Sequence, residues 1–220
     1  RAACAMSSIA DVTTVTSARG LVGHFYPDSP EGTGEPLNDV RVRQALEMGV
    51  DAQSYIDNIL SGYAQRVSTY LPPMTFAYDD SLEPYPYDPE QAKELLAEAG
   101  YPEGFAIKMD VPSTFIIPKV MDVAQAMKAD LAKIGVELLI RPVEMGTMIK
   151  YRDERTIAPI FLWSWGGDMF DPFQYYQVLQ CGHPWSFWCD EELDEMYDAG
   201  MATMDQAERE QIYKEMQSYV

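Results

Sequence analysis

Histidine, cysteine, positive charge and long apolar runs are all scarce in this sequence. Its 220 residues include two histidines and three cysteines, and 16 lysines and arginines face 35 aspartates and glutamates, which gives a net charge of −19. Nucleic-acid backbones and anionic lipids repel such a charge, which argues against nucleic-acid and membrane-surface functions. No apolar run approaches the length of about 18 residues that crosses a bilayer, so we expect no membrane span.

Sequence signatures of the common hydrolases are also missing. The chain has no nucleophile-elbow serine, no Cys-His arrangement and no HExxH helix. Asp168 and Asp171 lie close enough in the sequence to form an acid/base pair for glycoside hydrolysis. Paired carboxylates on one turn are common by chance in so acidic a chain, and we keep a glycoside hydrolase only as the alternative function.

The few cysteines leave one candidate pair. Cys181 and Cys189 enclose a short loop, and a disulfide there would stabilise the fold by roughly 2–3 kcal/mol. Two unconnected thiols are the first alternative. A zinc site that adds His183 and Asp190 is the second, although this set matches no standard ligand spacing. We favour the disulfide, and Cys4 has no obvious mate.

Strands and helices alternate along most of the chain. Residues 1–38 form a weakly patterned lead-in with one candidate strand at 21–26. Helical patterns follow at 39–48, 52–60, 88–99, 118–134, 145–154, 191–199 and 205–220, and strand patterns at 105–111, 136–141 and 160–163. This alternation predicts an α/β fold with a mostly parallel sheet flanked by helices. The first residues lack a signal-peptide pattern and the last are still helical in pattern, so we expect a piece of a longer protein.

The strand pattern at 160–163 runs into two glycines, Gly166 and Gly167, and an acidic-aromatic turn that ends at Pro172. Ligands of open α/β sheets bind beyond the strand ends, and glycines allow a close backbone approach there. The side chains expected to face an open crevice are those of Trp165, Asp168, Phe170 and Asp171. In the simpler alternative, the segment is an ordinary loop whose aspartate only caps the next helix.

Three blocks of the sequence carry a family resemblance. They are Pro36–Leu46, Tyr87–Gly104 and Trp165–Pro172, which read PLNDVRVRQAL, YDPEQAKELLAEAGYPEG and WGGDMFDP. They resemble the signatures D-x-R-V-R-Q-A-L, Y-D-P-x-x-A-K-x-L-L-x-x-A-G-Y-P-x-G and W-x-G-D-x-x-D-P of the family 5 extracellular solute-binding proteins. These are the oligopeptide, dipeptide, nickel and sugar receptors of ABC importers. Order and spacing also fit, and the resemblance extends from about residue 15 to residue 220.

The resemblance implies a periplasmic-binding-protein-like lobe. Residues 1–220 would be a single lobe, the second and C-terminal one of a two-lobed receptor that closes around its solute. In peptide-binding relatives the acid of the Gly-Asp turn pairs with the ligand's α-ammonium, a role that maps onto Asp168. Trp165, Gly167 and Phe170 of the same turn would line the ligand site. On this reading the protein has no catalytic residues, and we expect neither a metal nor a cofactor.

One region departs from the family pattern. Dipeptide receptors hold the ligand carboxylate with an arginine near the start of the long helix, where this sequence reads Ile117-Pro-Lys-Val-Met-Asp122. Lys119 would take that role as a point charge, without the two-pronged geometry of a guanidinium group. The expected solute is therefore a peptide, an amine or an oligosaccharide.

The resemblance also implies partners and a location. The expected partners are the solute and the membrane subunits of an ABC importer, with no nucleic acid, and the expected state is a monomer. The expected location is periplasmic or extracellular, with a lipid anchor as an option in the full-length protein.

Overall fold

The fold is built on one five-stranded sheet. The computed structural model describes residues 8–14, 17–31, 34–113, 119–166 and 170–220, and their side chains except those of 8–22, 165 and 166. Strands β1 to β5 are Ser8–Thr14, Ser17–Phe25, Phe105–Pro112, Val136–Val143 and Ile160–Gly166. Their order across the sheet is β1-β2-β5-β3-β4, which places β5 in the centre.

Four of these five strands run in the same direction. β3 is parallel to both β4 and β5, whereas β2 is antiparallel to β5 and to β1. The predicted α/β lobe is therefore confirmed, and its sheet is mixed, with two parallel and two antiparallel pairings, because β2 is the reversed strand. The weakly patterned lead-in, residues 1–38, contains β1 and β2. The candidate strand at 21–26 corresponds only to the last part of β2.

The helices flank this sheet. Helices α1 to α8 are Val40–Met48, Ala52–Asn58, Pro89–Glu98, Val120–Lys133, Met145–Asp153, Phe173–Tyr176, Glu191–Ala202 and Gln206–Tyr219. Two short 3-10 turns span Glu35–Asn38 and Gln177–Leu179. Among the described residues, no helix has both the length and the apolar character that a bilayer crossing requires.

Aspartates define where several of these helices begin. The side chains of Asp39, Asp51, Asp88, Asp190 and Asp205 each accept a hydrogen bond from a backbone N–H in the first helical turn. An aspartate at this position satisfies N–H groups that have no partner inside the helix, and its charge suits the positive end of the helix dipole. The helical patterns predicted to begin at residues 39, 88 and 205 are thus confirmed, each with its first aspartate as the cap.

Several element boundaries differ from the predicted ones, and for three of them the structure shows the cause. β5 continues to Gly166, because the backbones of Gly166 and Arg19 still pair across the sheet. α2 ends at Asn58, two residues early, since the chain reverses at Ser61 and Gly62, which both have positive φ. α4 begins at Val120, because Lys119 has a φ of 60° and stands outside the helix.

The core lies on both faces of the sheet. On one face, α1 and α4 cover β-strand residues that include Phe25, Met109, Leu138 and Ile160. These two helices approach so closely that a Cβ on Gly49 would lie 2.7 Å from the Ile134 side chain. On the opposite face, His24 and Phe161 pack under the loop 181–189, whose Trp185 and Phe187 contact Phe161.

An ion pair between a buried carboxylate and a partly exposed arginine joins β3 to β4. The Asp110 carboxylate is fully buried and accepts hydrogen bonds from Arg141, at 2.5 and 2.8 Å, and from the Ala158 N–H at 2.9 Å. Arg141 also bonds to Glu31 at 3.0 Å and lies over the ring of Tyr151. The hydrogen bonds to Asp110 raise the pKa of Arg141 above its ordinary value. This pair, with Glu31, fixes the loop after β2 to strands β3 and β4.

Candidate functional site

The candidate site is the edge of the sheet at which β5 ends. Because β3, β4 and β5 are parallel, their last residues lie at the same edge of the sheet, the one formed by the carboxyl ends of the strands. These residues are Pro112, Val143 and Gly166. This is the edge at which open α/β sheets bind their ligands. The backbone of Trp165 pairs with Gly20 of β2, so Trp165 still belongs to the strand. Gly167 and Asp168 lie outside the described residues.

The turn that leads away from this edge has an unusual backbone. Phe170 has a φ of 49°, a left-handed conformation that costs a residue with a side chain roughly 1–2 kcal/mol. The Phe170 carbonyl accepts a hydrogen bond from the Phe76 N–H at 2.9 Å, which joins the turn to the loop before α3. Phe170 is 37% exposed to solvent.

Asp171 does not face an open crevice, and that expectation is wrong. Its carboxylate forms a two-pronged ion pair with Arg209 of α8, with nitrogen–oxygen distances of 2.7 and 2.9 Å. One of its oxygens also accepts a hydrogen bond from the Phe173 N–H at 3.2 Å, at the start of α6. The simpler alternative, in which an aspartate of this segment caps the next helix, therefore describes Asp171.

Arg209 itself is fixed from several sides. Its Nε donates to the Gly200 carbonyl of α7 at 3.0 Å, and its guanidinium group lies 5.4 Å from the Phe76 ring centre and 5.0 Å from that of Tyr213. The hydrogen bonds to Asp171 raise the pKa of Arg209. Sequence reasoning missed this residue, because nothing local to the final helix indicates which of the 35 acidic residues an arginine will meet.

Lys119, the residue predicted to hold the ligand carboxylate, lies immediately before α4. Its side chain is 59% exposed, and its ammonium nitrogen lies 3.9 Å from the Asp122 carboxylate. An exposed pair at this distance contributes little and leaves the lysine free to meet another anion. A left-handed backbone at a residue other than glycine is often found at functional sites, which agrees with the predicted role but does not test it.

The loop after the turn is closed by a disulfide. Cys181 and Cys189 are bonded to each other, so the alternatives of two free thiols and of a zinc site are wrong. Arg155 holds the loop by donating to the carbonyls of Pro184, at 3.3 Å, and Ser186, at 2.9 Å. Within the described part of the chain, no group of three metal-ligating side chains lies together. Cys4 lies outside the described residues.

Trp185 of this loop is a structural anchor. It is buried, its ring centre lies 4.2 Å from that of Trp163 in β5, and Arg152 covers it at 4.8 Å. Trp188 is partly buried against the same core. Trp185 thus belongs to the core, and Trp188 lies at its margin.

His24 is also structural. It lies in β2 with its ring stacked on Phe161, at a centre-to-centre distance of 4.6 Å, and close to Tyr70. Burial lowers the pKa of His24 to about 3, so the ring is neutral at physiological pH. A neutral, buried ring stacked on Phe161 is typical of a histidine that packs within an apolar strand.

Residues 9–186 match the sequence model of a family described as bacterial extracellular solute-binding proteins, family 5 Middle. The chain belongs to this family. The match contains all three blocks on which the resemblance was based, so that inference is confirmed. The family consists of solute-binding proteins, which contradicts the glycoside hydrolase alternative, and the engagement of Asp171 by Arg209 removes the second carboxylate of that hypothesis.

Several curated proteins align over most of this chain. The di/tripeptide-binding protein 2 of Pseudomonas aeruginosa is 35% identical over 191 residues, which are 83% of this chain and 36% of that protein. The heme-binding protein A of Haemophilus influenzae is 35% identical over 195 residues, which are 84% of this chain and 35% of that protein. The chain thus spans little more than a third of the length of these relatives.

A solved structure shows the same fold. The dipeptide-binding protein of Pseudoalteromonas, crystallised in complex with Met-Leu, superposes with a TM-score of 0.82 and 29% sequence identity. The superposition covers 95% of this chain and 42% of that protein. The described fold is therefore that of part of a periplasmic binding protein.

Proposed function

We propose that this chain is part of the solute receptor of an ABC importer, and that the whole protein captures a short peptide in a cleft between two lobes. Membership of the family 5 solute-binding proteins carries this proposal. The peptide ligand is supported by relatives that are named for dipeptides and tripeptides and by the fold shared with a Met-Leu complex. Residues 1–220 supply the second, C-terminal lobe, and the cleft closes by a hinge motion.

In this proposal Asp168 binds the ligand's α-ammonium group. In the sequence it follows the last residue of the central strand by two positions, and α/β folds bind their ligands beyond such strand ends. A carboxylate in a cleft from which water is excluded forms a strong, charge-assisted hydrogen bond to an ammonium group. Asp171 is already neutralised by Arg209, which leaves Asp168 as the acid of this turn that serves the ligand.

The remaining contacts are apolar or come from the backbone. Phe170 offers an exposed ring beside the turn, and Trp165 is the last residue of β5 with a large side chain. Gly167 lets the ligand approach the backbone closely, because it carries no Cβ. Together, these residues would form a wall against the first side chain of a peptide.

Lys119 would hold the opposite end of the ligand. Its exposed ammonium group makes only a distant pair with Asp122, so a ligand carboxylate is a better partner for it. Lysine cannot form the parallel two-bond contact of an arginine. We therefore expect a looser grip on the ligand carboxylate, which favours tolerance of ligands that differ at this end, including longer peptides and amines.

Other solutes remain as outcomes of the test. The heme-binding relative matches this chain with the same identity as the di/tripeptide-binding one, so sequence identity does not rank the two ligands. Oligosaccharides would depend on the aromatic residues more than on Asp168. Binding titrations with free amines, oligosaccharides and hemin, the last followed by its visible absorption, would separate these cases.

The proposed setting follows from the family. Its members are bacterial extracellular proteins, so this receptor would work outside the cytoplasmic membrane, in the periplasm or on the cell surface, with or without a lipid anchor. It would act as a monomer, bring its solute to the membrane subunits of an importer and catalyse no reaction on it.

Calorimetry on the full-length protein tests the peptide proposal. A panel of dipeptides with free amino groups is titrated into the wild type and into Asp168→Asn, which keeps the size of the side chain and removes its charge. We expect the dissociation constant to rise by roughly 10–100-fold, since hydrogen bonds to charged groups contribute about 1.5–3 kcal/mol. Asp57→Asn is the matched control, because Asp57 is an exposed aspartate of α2 that bonds only to Gln53 among the described contacts. Equal affinities of wild type and Asp168→Asn would contradict the assigned role.

A second titration tests Lys119. Lys119→Ala is expected to weaken binding of a dipeptide by about tenfold and to change binding of the corresponding dipeptide amide little. Lys119→Arg is expected to tighten binding of the dipeptide acid, because a guanidinium group can hold both carboxylate oxygens. Lys128→Ala, on the exposed side of α4, is the control. If Lys119→Ala weakened both ligands equally, Lys119 would not be the carboxylate partner.

A further inference from the structure

We propose that Arg209 is a positioning residue for the ammonium site: it acts through Asp171 to fix the turn that carries Asp168, and it does not touch the ligand. The inference rests on the proposed role of Asp168. It adds a residue from the last helix of the chain, 41 positions after Asp168, that no feature of the turn itself reveals.

The turn needs such a restraint because its backbone is strained. Phe170 holds a φ of 49°, which a residue with a side chain keeps only when surrounding contacts require it. Two kinds of contact do so here. The Phe76 N–H donates to the Phe170 carbonyl at 2.9 Å, and the Asp171 carboxylate is held between Arg209 and the Phe173 N–H.

Arg209 links this turn to two other parts of the fold. Both of its terminal nitrogens donate to Asp171, while its Nε donates to the Gly200 carbonyl of α7 at 3.0 Å. Its guanidinium plane also lies near the Phe76 ring, which belongs to the loop that bonds to Phe170. The same arginine therefore restrains the turn directly, through Asp171, and supports the segment that holds the turn from the other side.

The setting of the pair makes the restraint effective. The side chains of Arg209 and Asp171 are only 22% and 26% exposed. A two-pronged contact with little exposure is stronger and better defined in direction than an ordinary surface ion pair. A lysine at this position would supply the charge but could not span both carboxylate oxygens and the Gly200 carbonyl at once.

The consequence for binding is specific to one chemical group. If the turn loses its restraint, Asp168 occupies its binding position for a smaller fraction of the time, and the apparent affinity falls by that fraction. Only the part of the affinity that comes from the ligand's ammonium group is lost. A peptide whose amino group is acetylated does not use that contact and should bind the altered protein as it binds the wild type.

The experiment compares two ligands on the full-length protein. Dissociation constants of one dipeptide and of its Nα-acetyl derivative are measured by calorimetry for the wild type, Arg209→Gln, Arg209→Lys and Asp171→Asn. Arg41→Gln is the matched control, because Arg41 forms a comparable two-pronged pair with Asp39 at the start of α1. Amide hydrogen exchange of residues 167–173 in the ligand-free proteins gives a second, ligand-independent readout.

We expect Arg209→Gln and Asp171→Asn to weaken the free dipeptide by about tenfold and the acetylated one by less than about twofold. Arg209→Lys should lie between these variants and the wild type, and Arg41→Gln should equal the wild type. Exchange in the turn should become faster in Arg209→Gln, while exchange in β5 should stay unchanged.

Two results would overturn the proposal. One is an equal loss of affinity for both peptides, which would indicate a general structural role. The other is that Arg209→Gln keeps the preference of the wild type for the free amino group and also keeps its rate of hydrogen exchange in the turn. If the wild type itself does not prefer the free dipeptide, the role of Asp168, on which the inference rests, is refuted. This outcome distinguishes a failure of the Asp168 role from a failure of the Arg209 role.

Discussion

Two arginine–aspartate pairs of similar geometry hold different regions of this protein. Arg141 and Asp110 join β3 to β4 inside the sheet, where the aspartate is fully buried. Arg209 and Asp171 join α8 to the turn beyond β5, where both partners are partly exposed. Because Asp110 has lost all of its water, it depends on its protein partners far more than Asp171 does. The first pair should therefore govern stability, and the second the geometry of the candidate site.

The largest expected effect belongs to the buried pair. Asp110→Ala leaves the buried Ala158 N–H without its partner and leaves Arg141 with Glu31 as its remaining acid, so we expect the free energy of unfolding to fall by about 3 kcal/mol. Urea unfolding of the full-length protein, followed by tryptophan fluorescence, measures the loss. A loss below about 1 kcal/mol would erase the contrast between the two pairs, since that is the size expected of a surface pair.

The disulfide loop covers the same region of the sheet. Replacement of both Cys181 and Cys189 by serine should lower the free energy of unfolding by roughly 2–3 kcal/mol, because the unfolded chain gains conformational freedom. The loop packs on β5 through Trp185, so the preference for a free over an acetylated dipeptide should not change. A changed preference would place the loop within the ligand site.

The free energy of unfolding should also depend on pH through the buried His24. His24 has a folded pKa of about 3, below the ordinary value of 6.5, so the unfolded chain takes up a proton first as the pH falls. Its contribution is complete above about pH 6.5 and is lost progressively toward pH 3, with about 2 kcal/mol lost by pH 5. His24→Gln should lack this part of the pH dependence. Parallel stability curves for the two proteins between pH 7.5 and 5 would contradict the burial of a neutral ring.

The smallest stability effect is expected at the turn. Arg209→Gln should lower the free energy of unfolding by about 1 kcal/mol, because both partners remain partly solvated. The same variant should nevertheless lose most of the preference for a free amino group, which Asp110→Ala should retain. If Asp110→Ala remained folded but lost that preference, the two pairs would not have separate roles, one in stability and the other in the geometry of the site.

Local sequence signals predicted the elements that depend on local contacts. The helix starts at Asp39, Asp88 and Asp205 follow from a cap that bonds within one turn. β1 and the full length of β5 could not be read in this way, because strand pairing depends on a neighbour distant in the sequence, as between Gly166 and Arg19.

The same difference between local signals and contacts distant in the sequence applies to the charged residues and to the candidate site. A charged residue inside an apolar strand, such as Asp110 between Met109 and Val111, signals a buried partner, although not which one. The motif around Asp168 was recognisable, but it gave Asp171 the wrong setting. That setting depends on Arg209, 38 residues away, and Phe76 contributes from the opposite direction along the chain. Such contacts exist only in the folded chain.

The most direct test of the account is a double-mutant cycle between Asp168→Asn and Arg209→Gln, read as the ratio of dissociation constants for an acetylated and a free dipeptide. If Arg209 acts through the turn that carries Asp168, Asp168→Asn alone abolishes the preference and Arg209→Gln adds nothing further in that background. A preference that survives in Asp168→Asn, or two effects that simply add, would contradict the account.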